Sequence, residues 1–519
     1  MIRPLPLSLA ALLVTTALHA APPQDPDVSL TVYSSADPRG FDPQQFIAQQ
    51  RAGYNPNFAS QVPGFGVIRD TRTISLKPDV NTVRFTDVAA FIDPTTVSFA
   101  DVSPHARNAK PDKLPSIIEQ SFQFDLVSPE KLLNKYIDRS ITARILLADG
   151  GHEDVTGSLL SNTQGQLVIQ TGAGLRILQR SQVQLKLADL PGGLITRPTL
   201  EWLVQSPDDA PRDHRIRTTY QTGGITWRAD YNLLLNQDDT KADISAWVSL
   251  MNLSGIAYEN AKLKLIAGDV QRVPSAGQYD RRRMEKSMMM AAESAAFEEK
   301  EFFEYHLYTL PRRTTVRNNA TQQIALFPAV PDVNVDKVLL YNGLPDAAHW
   351  SIARNPHLDK NFGNQSNKKV DVYIRLDNSE EDGLGKPLPK GKVRVYKRDD
   401  ADDSLEFVGE DLIDHTAKGA QILIRVGNAF DVTGERTQTD FSIDKRGHVI
   451  TESYRIKLNN AKDNPVNVVV KEFLYRWHNW RITRQSDDFK KIDSRTIDFE
   501  VQVPAESSRQ IEYTVRYTW

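Results

Sequence analysis

Apolar and polar positions alternate along most of this chain, and the alternation is clearest between Gly224 and Val270. There ITWRADYNLLL and ADISAWVSLMNLSGIAYENAKLKLIAGDV carry runs of β-branched and aromatic residues, split by the polar turns NQDDTKAD and NLSGIAYEN. Ala261, Leu263, Leu265 and Ala267 alternate with Lys262, Lys264 and Ile266, the period of a half-buried strand. Such runs predict consecutive antiparallel strands of a sandwich. Trp227 and Tyr231, four apart, share one face of a strand and are expected in the core.

The same period recurs on both sides of this stretch. SLTVY, GVIRDTRTISL, TVRFTDV and TVSFADV predict an N-terminal β domain over 27–110, with a loop insertion at 36–65. Ser128 and Pro129 open SPEKLLNKYID, a short helix with Leu132, Leu133, Tyr136 and Ile137 on one face. Short strands then follow with closely spaced turn signals, predicting a small β-barrel-like domain over 113–193. A central β-sandwich is expected over 195–345, interrupted by the charged, Met- and Ala-rich excursion 271–300. From 346 to 519 the alternation continues, as in VDVYIRL, where Val370, Val372, Ile374 and Leu376 share a face. VSLMNLSG and IKLNNAKDNPV repeat one arrangement: strand, terminal Asn, short turn, strand. It suggests duplicated Ig-like sandwiches. The expected class is therefore mainly β, with several antiparallel sandwich and small barrel domains in tandem and few short helices.

Composition changes this picture in two places. Arg3, the apolar run Leu5 to Leu18 and the small residues ending at Ala20 read as a secretory signal peptide over 1–20, too short for a span. The expected location is periplasmic or secreted. The 519 residues include no cysteine, which excludes disulfides, thiol catalysis and thiolate metal sites. A net charge of −3, from 63 Lys and Arg against 66 Asp and Glu, gives no footprint for nucleic acid. No later run is long and apolar enough for a transmembrane helix.

The segments ITWRADY, NLSGIAYENAKLKLIAGDV, FFEYHLYTLPRRTT, KGKVRVYKRDD…EFVGEDLIDHT and the closing EYTVRYTW occur in that order. Together they resemble the bacterial domain-of-unknown-function family 4139. The resemblance runs from about Leu30 to the C-terminus and implies an exported, mostly β, multidomain envelope protein. It carries no catalytic residues over.

Candidate chemistry is sparse. The chain has no GxSxG, HExxH, GxxxxGK[ST] or GxGxxG. Ser366 to Lys369 matches SxxK in form, but it runs into a strand instead of a helix. The ten histidines are scattered, with none two or four residues from another. His152-Glu153-Asp154 reads as a solvated turn, and Met284, Met288, Met289 and Met290 as a packing linker. Glu380-Glu381-Asp382 and Asp399 to Asp403 read as acidic hairpin loops whose spacing fails the calcium-loop pattern. No metal or other cofactor is expected. Tyr475, Trp477 and Trp480 with Arg476 and Arg481 crowd one turn; Trp477, Trp480 and Arg481 are the candidates for stacking on a sugar or anchoring a protein.

The leading expectation is a non-catalytic binding or scaffold protein, whose partner is an unknown envelope protein or glycan. A hydrolase of envelope glycan or peptide is the first alternative, since paired carboxylates leave no spacing signature. An outer-membrane barrel closed by Ile511, Tyr513, Val515, Tyr517 and Trp519 is the second.

Overall fold

The computed structural model describes residues 27–34, 62–124, 127–147, 150–189, 194–268, 298–302, 305–350, 355–364 and 366–519, with isolated positions between. The expected signal segment, the loop insertion and the Met-rich excursion lie almost wholly outside these residues. Among them the chain is mainly β, arranged as five sheets, none closed into a barrel. No helix is long and apolar enough to cross a membrane.

The central strand Ile225–Leu235 lies in the middle of a five-stranded sheet and is buried on both faces from Ile225 to Tyr231. Its neighbours are Lys241–Asn252, antiparallel, and Gly391–Arg398, parallel. Trp227 and Tyr231 lie in the core at 0% and 2% exposure, each contributing roughly 1.5–3 kcal/mol through burial. Their polar ends are satisfied: Trp227 Nε1 donates to the Val32 carbonyl at 3.1 Å and Tyr231 OH to that of Pro389 at 2.7 Å. The parallel neighbour needs glycine at its start, because a Cβ on Gly391 would fall 2.3 Å from the Ala229 carbonyl oxygen. On the opposite face Arg228 and Asp230 pair at 3.0 Å, Ser249 Oγ donates to Asp230 at 2.6 Å, and Arg394 reaches in at 3.4 Å. A buried polar seam thus fixes the register of the parallel pair.

Pairing joins segments distant in sequence. Ser29–Ser34 lies parallel to Tyr258–Ala267 and antiparallel to Phe65–Leu76. Arg212–Thr222 runs between Phe65–Leu76 and Ile92–Asp101, and Thr199–Ser206 between Asp79–Thr86 and Ser116–Gln123. These ladders cross the boundaries expected at 110 and 195. Asp336–Asn342 crosses the one at 345, pairing with Lys369–Asp377 and, in parallel, with Val466–Phe473. One large core accordingly holds residues from Leu30 to Ile424, while a second gathers Leu339, Tyr341 and the C-terminal strands.

The small unit expected over 113–193 is an open sheet ordered Gly174–Gln179, Gln166–Thr171, His152–Thr163, Ser140–Leu146, Val183–Lys186. Its two end strands are consecutive, joined by the 3-10 turn Arg180–Gln182. The sheet therefore curls around Ile141, Leu159, Leu167 and Ile169 without a hydrogen-bonded closing seam. The helix Pro129–Lys135 forms as expected, with Ser128 Oγ accepting from Lys131 N at 3.2 Å. Leu133 and Tyr136 are buried on it, but Ile137 is 40% exposed because the helix stops before the residue can turn inward.

In the C-terminal sheet, Ser507–Thr518 lies between Val449–Asn460 and Trp480–Gln485. Ile511, Tyr513, Val515 and Tyr517 fill the second core, an inward aromatic face instead of a lipid-facing one. The repeated strand-end asparagine has a structural counterpart. Asn252 Nδ2 donates to the carbonyls of Ile256, Val316 and Arg317, and its Oδ1 accepts from Ser254 N. Asn460 Nδ2 donates to those of Asn464, Val503 and Pro504, and its Oδ1 accepts from Lys462 N. Both buried amides tie their own turn to the end of a neighbouring strand at the same offsets.

Candidate functional site

The aromatic candidates do not form one surface. Trp477 and Trp480 are half-buried against the second core, and Trp480 Nε1 donates to the Ser494 carbonyl at 2.8 Å. Lys491 stands 5.0 Å over the Trp480 ring. Arg481, exposed and next in the same edge strand, points to the opposite face. The acidic hairpins spend their charge locally, Asp403 on Arg398 and Glu380 on Lys418. His152-Glu153-Asp154 opens a strand instead of forming a turn, with Asp154 paired to Arg144 and Glu153 to Arg176.

Charges that face inward are more informative. In Val449–Asn460, Glu452 shares a face with Ile450, Tyr454, Ile456 and Leu458; in Val466–Phe473, Glu472 follows Val468 and Val470. Arg436 Nε donates to both oxygens of Glu472, at 3.1 and 2.9 Å, and Tyr513 OH donates to the same carboxylate. Arg476 Nε lies 2.7 Å from Glu452 Oε1, and its Nη1 donates to the carbonyls of His357 and Asp359. The Arg436 guanidinium stacks 3.7 Å from the Tyr454 ring. Burial works against the Arg436 charge, yet Glu472 beside it holds the arginine well above its usual range. Burial also pushes Tyr454, Tyr513 and Tyr517 well above the usual tyrosine range, so none supplies a phenolate near neutrality. The cluster is closed to solvent, with both pairs at 2% exposure or less. It is built to hold strands together.

A second inward cluster reaches the surface. Asp101 ends the edge strand Ile92–Asp101, opposite Ile216 of Arg212–Thr222. His214, two residues before Ile216, shares its face and is 2% exposed. The chain leaves Asp101 through a 3-10 turn, Pro104–Ala106, which carries His105 over the His214 ring at 5.3 Å, edge to face. His214 Nδ1 is 2.7 Å from Asp101 Oδ2, and its Nε2 is 2.8 Å from Asp208 Oδ2. His105 Nε2 approaches Asp101 Oδ2 at 3.7 Å. Ser103 donates to Asp101 Oδ1 from its amide, at 2.9 Å, and from its hydroxyl. Arg212 and Ser206 hold Asp208 at 3.1 Å each. Burial alone would raise the pKa of both carboxyls, but hydrogen bonds from Ser103 and His214 keep that of Asp101 below the usual range. Those from Ser206 and His214 do the same for Asp208. The His214 ring thus has an aspartate oxygen within hydrogen-bond distance of each nitrogen. Asp101, His105 and His214 present ligand atoms within 4.8 Å of one another, the one such group among the described residues. Sequence spacing missed it because His105 and His214 meet only through strand pairing; the readable signal was His214 on the apolar face of RIRTTY.

A third feature is an open depression of about 340 Å³ on the outer face of the central sheet. Asn232, Leu234, Ser245, Tyr396 and Leu405 line it, with Asp243 its one carboxylate. It ends at the edge strand Leu405–Ile413, where Leu405 and Phe407 are 55% and 56% exposed.

A chain of mixed sheets in which the strand Lys369–Asp377 gives Val370 to one large core and Ile374 and Leu376 to the other, with sealed buried ion pairs and no assembled acid–base cleft in that depression, is a multi-sheet β protein defined by fold before chemistry. It belongs to the family described as domain of unknown function DUF4139, whose model matches residues 216–519. No curated protein matches it.

Proposed function

We propose that the protein is an exported, non-catalytic binding or scaffold protein of the cell envelope, working in the periplasm or outside the cell, and that its partner is another polypeptide. The observation that carries this reading is the sheet edge at Leu405–Val408. All four residues of this half-strand are exposed; Leu405 lines the depression, and Phe407 packs edge-on against Tyr396 of the same lining. An edge strand offers unpaired backbone donors and acceptors, and an adjacent apolar hollow offers room for alternate side chains of an added strand. The single carboxylate in the hollow supports binding over glycoside hydrolysis there, which ordinarily calls for a carboxylate pair. Export rests on the N-terminal Arg3, apolar run and small-residue site.

A photo-crosslinker at Phe407 of the mature protein, expressed in its native envelope, tests this. One discrete adduct is expected, absent from a control crosslinker at Leu175 and abolished by Leu405→Lys. Adducts of equal yield at both positions, or recovery of the chain in the cytosol with residues 1–20 attached, would overturn the reading.

A further inference from the structure

We infer that Asp101, His105 and His214 form a binding site for a divalent first-row transition metal ion, with zinc the natural probe. The site precedes residue 216 and so lies outside the matched family module. Its donor set, two imidazoles and one carboxylate, suits Zn²⁺ or Fe²⁺ and not the all-oxygen preference of Ca²⁺ or Mg²⁺.

Spacing is the first argument. Ligands about 2.0–2.2 Å from a tetrahedral ion stand roughly 3.3–3.6 Å from one another. The 2.7 Å between His214 Nδ1 and Asp101 Oδ2 and the 3.7 Å between His105 Nε2 and Asp101 Oδ2 bracket that value. His105 stands on an exposed turn and is the member free to swing inward.

The surroundings of the donors are the second. A metal-bound histidine ordinarily donates its other ring N–H to a carboxylate, and a metal-bound carboxylate is itself hydrogen-bonded. His214 Nε2 faces Asp208 Oδ2 at 2.8 Å, and Asp208 is braced in turn by Ser206 and Arg212. Asp101 turns Oδ1 to the Ser103 amide and hydroxyl, leaving Oδ2 toward both imidazoles. An ion pair between His214 and two aspartates accounts for His214 alone. It leaves His105 with only the edge-on packing of its ring on His214, since its Nε2 sits beyond hydrogen-bond reach of Asp101.

The ion would bond to Asp101 Oδ2 and to one lone pair of each imidazole, and any proton held at those atoms leaves to solvent as it enters. Three protein ligands would leave a tetrahedral ion one further position.

Calorimetric titration of Zn²⁺ into the EDTA-treated, full mature chain should show one saturable site with proton release, and Mg²⁺ no heat. Co²⁺ should develop visible d–d absorption that Zn²⁺ displaces. His105→Ala removes a side chain that is a third exposed and makes no close bond, so it should fold with unchanged circular dichroism yet bind Zn²⁺ at least tenfold more weakly. Asp208→Asn, which alters only the brace, should cost roughly 10–100-fold. Zn²⁺ affinity equal in wild type and His105→Ala, or no saturable binding to wild type, would overturn the site and leave a plain ion pair.

Discussion

Arg436 and Arg476 in the C-terminal body and His214 in the N-terminal one are all buried against carboxylates, yet the two regions differ in one respect. Around the arginines every approach is closed, by Tyr454, Tyr475 and Tyr513 and by the carbonyls of His357, Asp359 and Gly363. Around His214 one side is covered only by His105, a third exposed. A guanidinium sealed against its carboxylate on every side ties strands together. A buried imidazole can trade its proton for an ion. The comparison teaches that burial alone does not mark a site; a titratable donor with a route to solvent does.

The largest effect should come from breaking the sealed side. Glu472→Ala leaves Arg436 as an uncompensated buried charge and is expected to cost roughly 3–5 kcal/mol, measured by urea unfolding of the full chain. Replacing both partners together, Arg436→Met with Glu472→Leu, should recover most of that loss, because the cost lies in the orphaned charge. A single-variant cost below about 1 kcal/mol would mean that the cluster admits water and that the contrast with His214 fails.

Part of this contrast was legible in the residues. Alternation placed Trp227, Tyr231, Ala261 and Leu263 correctly in the core, since period two fixes the face a side chain takes. It also carried an unread signal: Glu452 and Glu472 interrupt otherwise apolar faces, which announces buried charge needing a partner. What alternation cannot specify is the neighbour of each strand. Hence the parallel pairs, Ser29–Ser34 with Tyr258–Ala267 and Ile225–Leu235 with Gly391–Arg398, were not foreseen. The histidine cluster was hidden for the same reason. Asp101 with His105, and Asp208 with His214, are local pairs, but only the ladder between Ile92–Asp101 and Arg212–Thr222 brings them together. Trp477, Trp480 and Arg481 are close in sequence, while the strand sends Trp480 and Arg481 to opposite faces.

An intermediate case grades the comparison. Asp239, in the turn after the central strand, takes Lys397 at 2.6 Å and Lys337 from the C-terminal sheet, so it clamps the two cores. Burial would raise its carboxyl, but the two lysines prevail and hold it below the usual range. A depressed folded value means stability that is present above the unfolded value of about 3.9 and lost as pH falls through the folded one. Asp239→Asn should cost about 1 kcal/mol at pH 7, discounted because both lysines remain in contact with water. The gap between variant and wild type should close under acid, read from urea midpoints between pH 7 and pH 2. A gap that widens on acidification would refute the clamp.

The smallest effect belongs to the open side, and it is the most discriminating. Without metal, His105→Ala should shift stability by less than about 0.5 kcal/mol, as an exposed substitution away from caps and core does. With zinc at about a hundred times its dissociation constant, wild type should gain about 2.7 kcal/mol by mass action, and the variant should gain much less. No added ion should stabilise the sealed arginine cluster, whose donors cannot bind one. Melting scans with and without zinc on wild type, His105→Ala and Glu472→Ala therefore separate the two regions: zinc should lift wild type and Glu472→Ala alike and barely move His105→Ala. Equal lifts in all three would place the zinc elsewhere and erase the distinction between a charge buried to hold the fold and one buried to be exchanged.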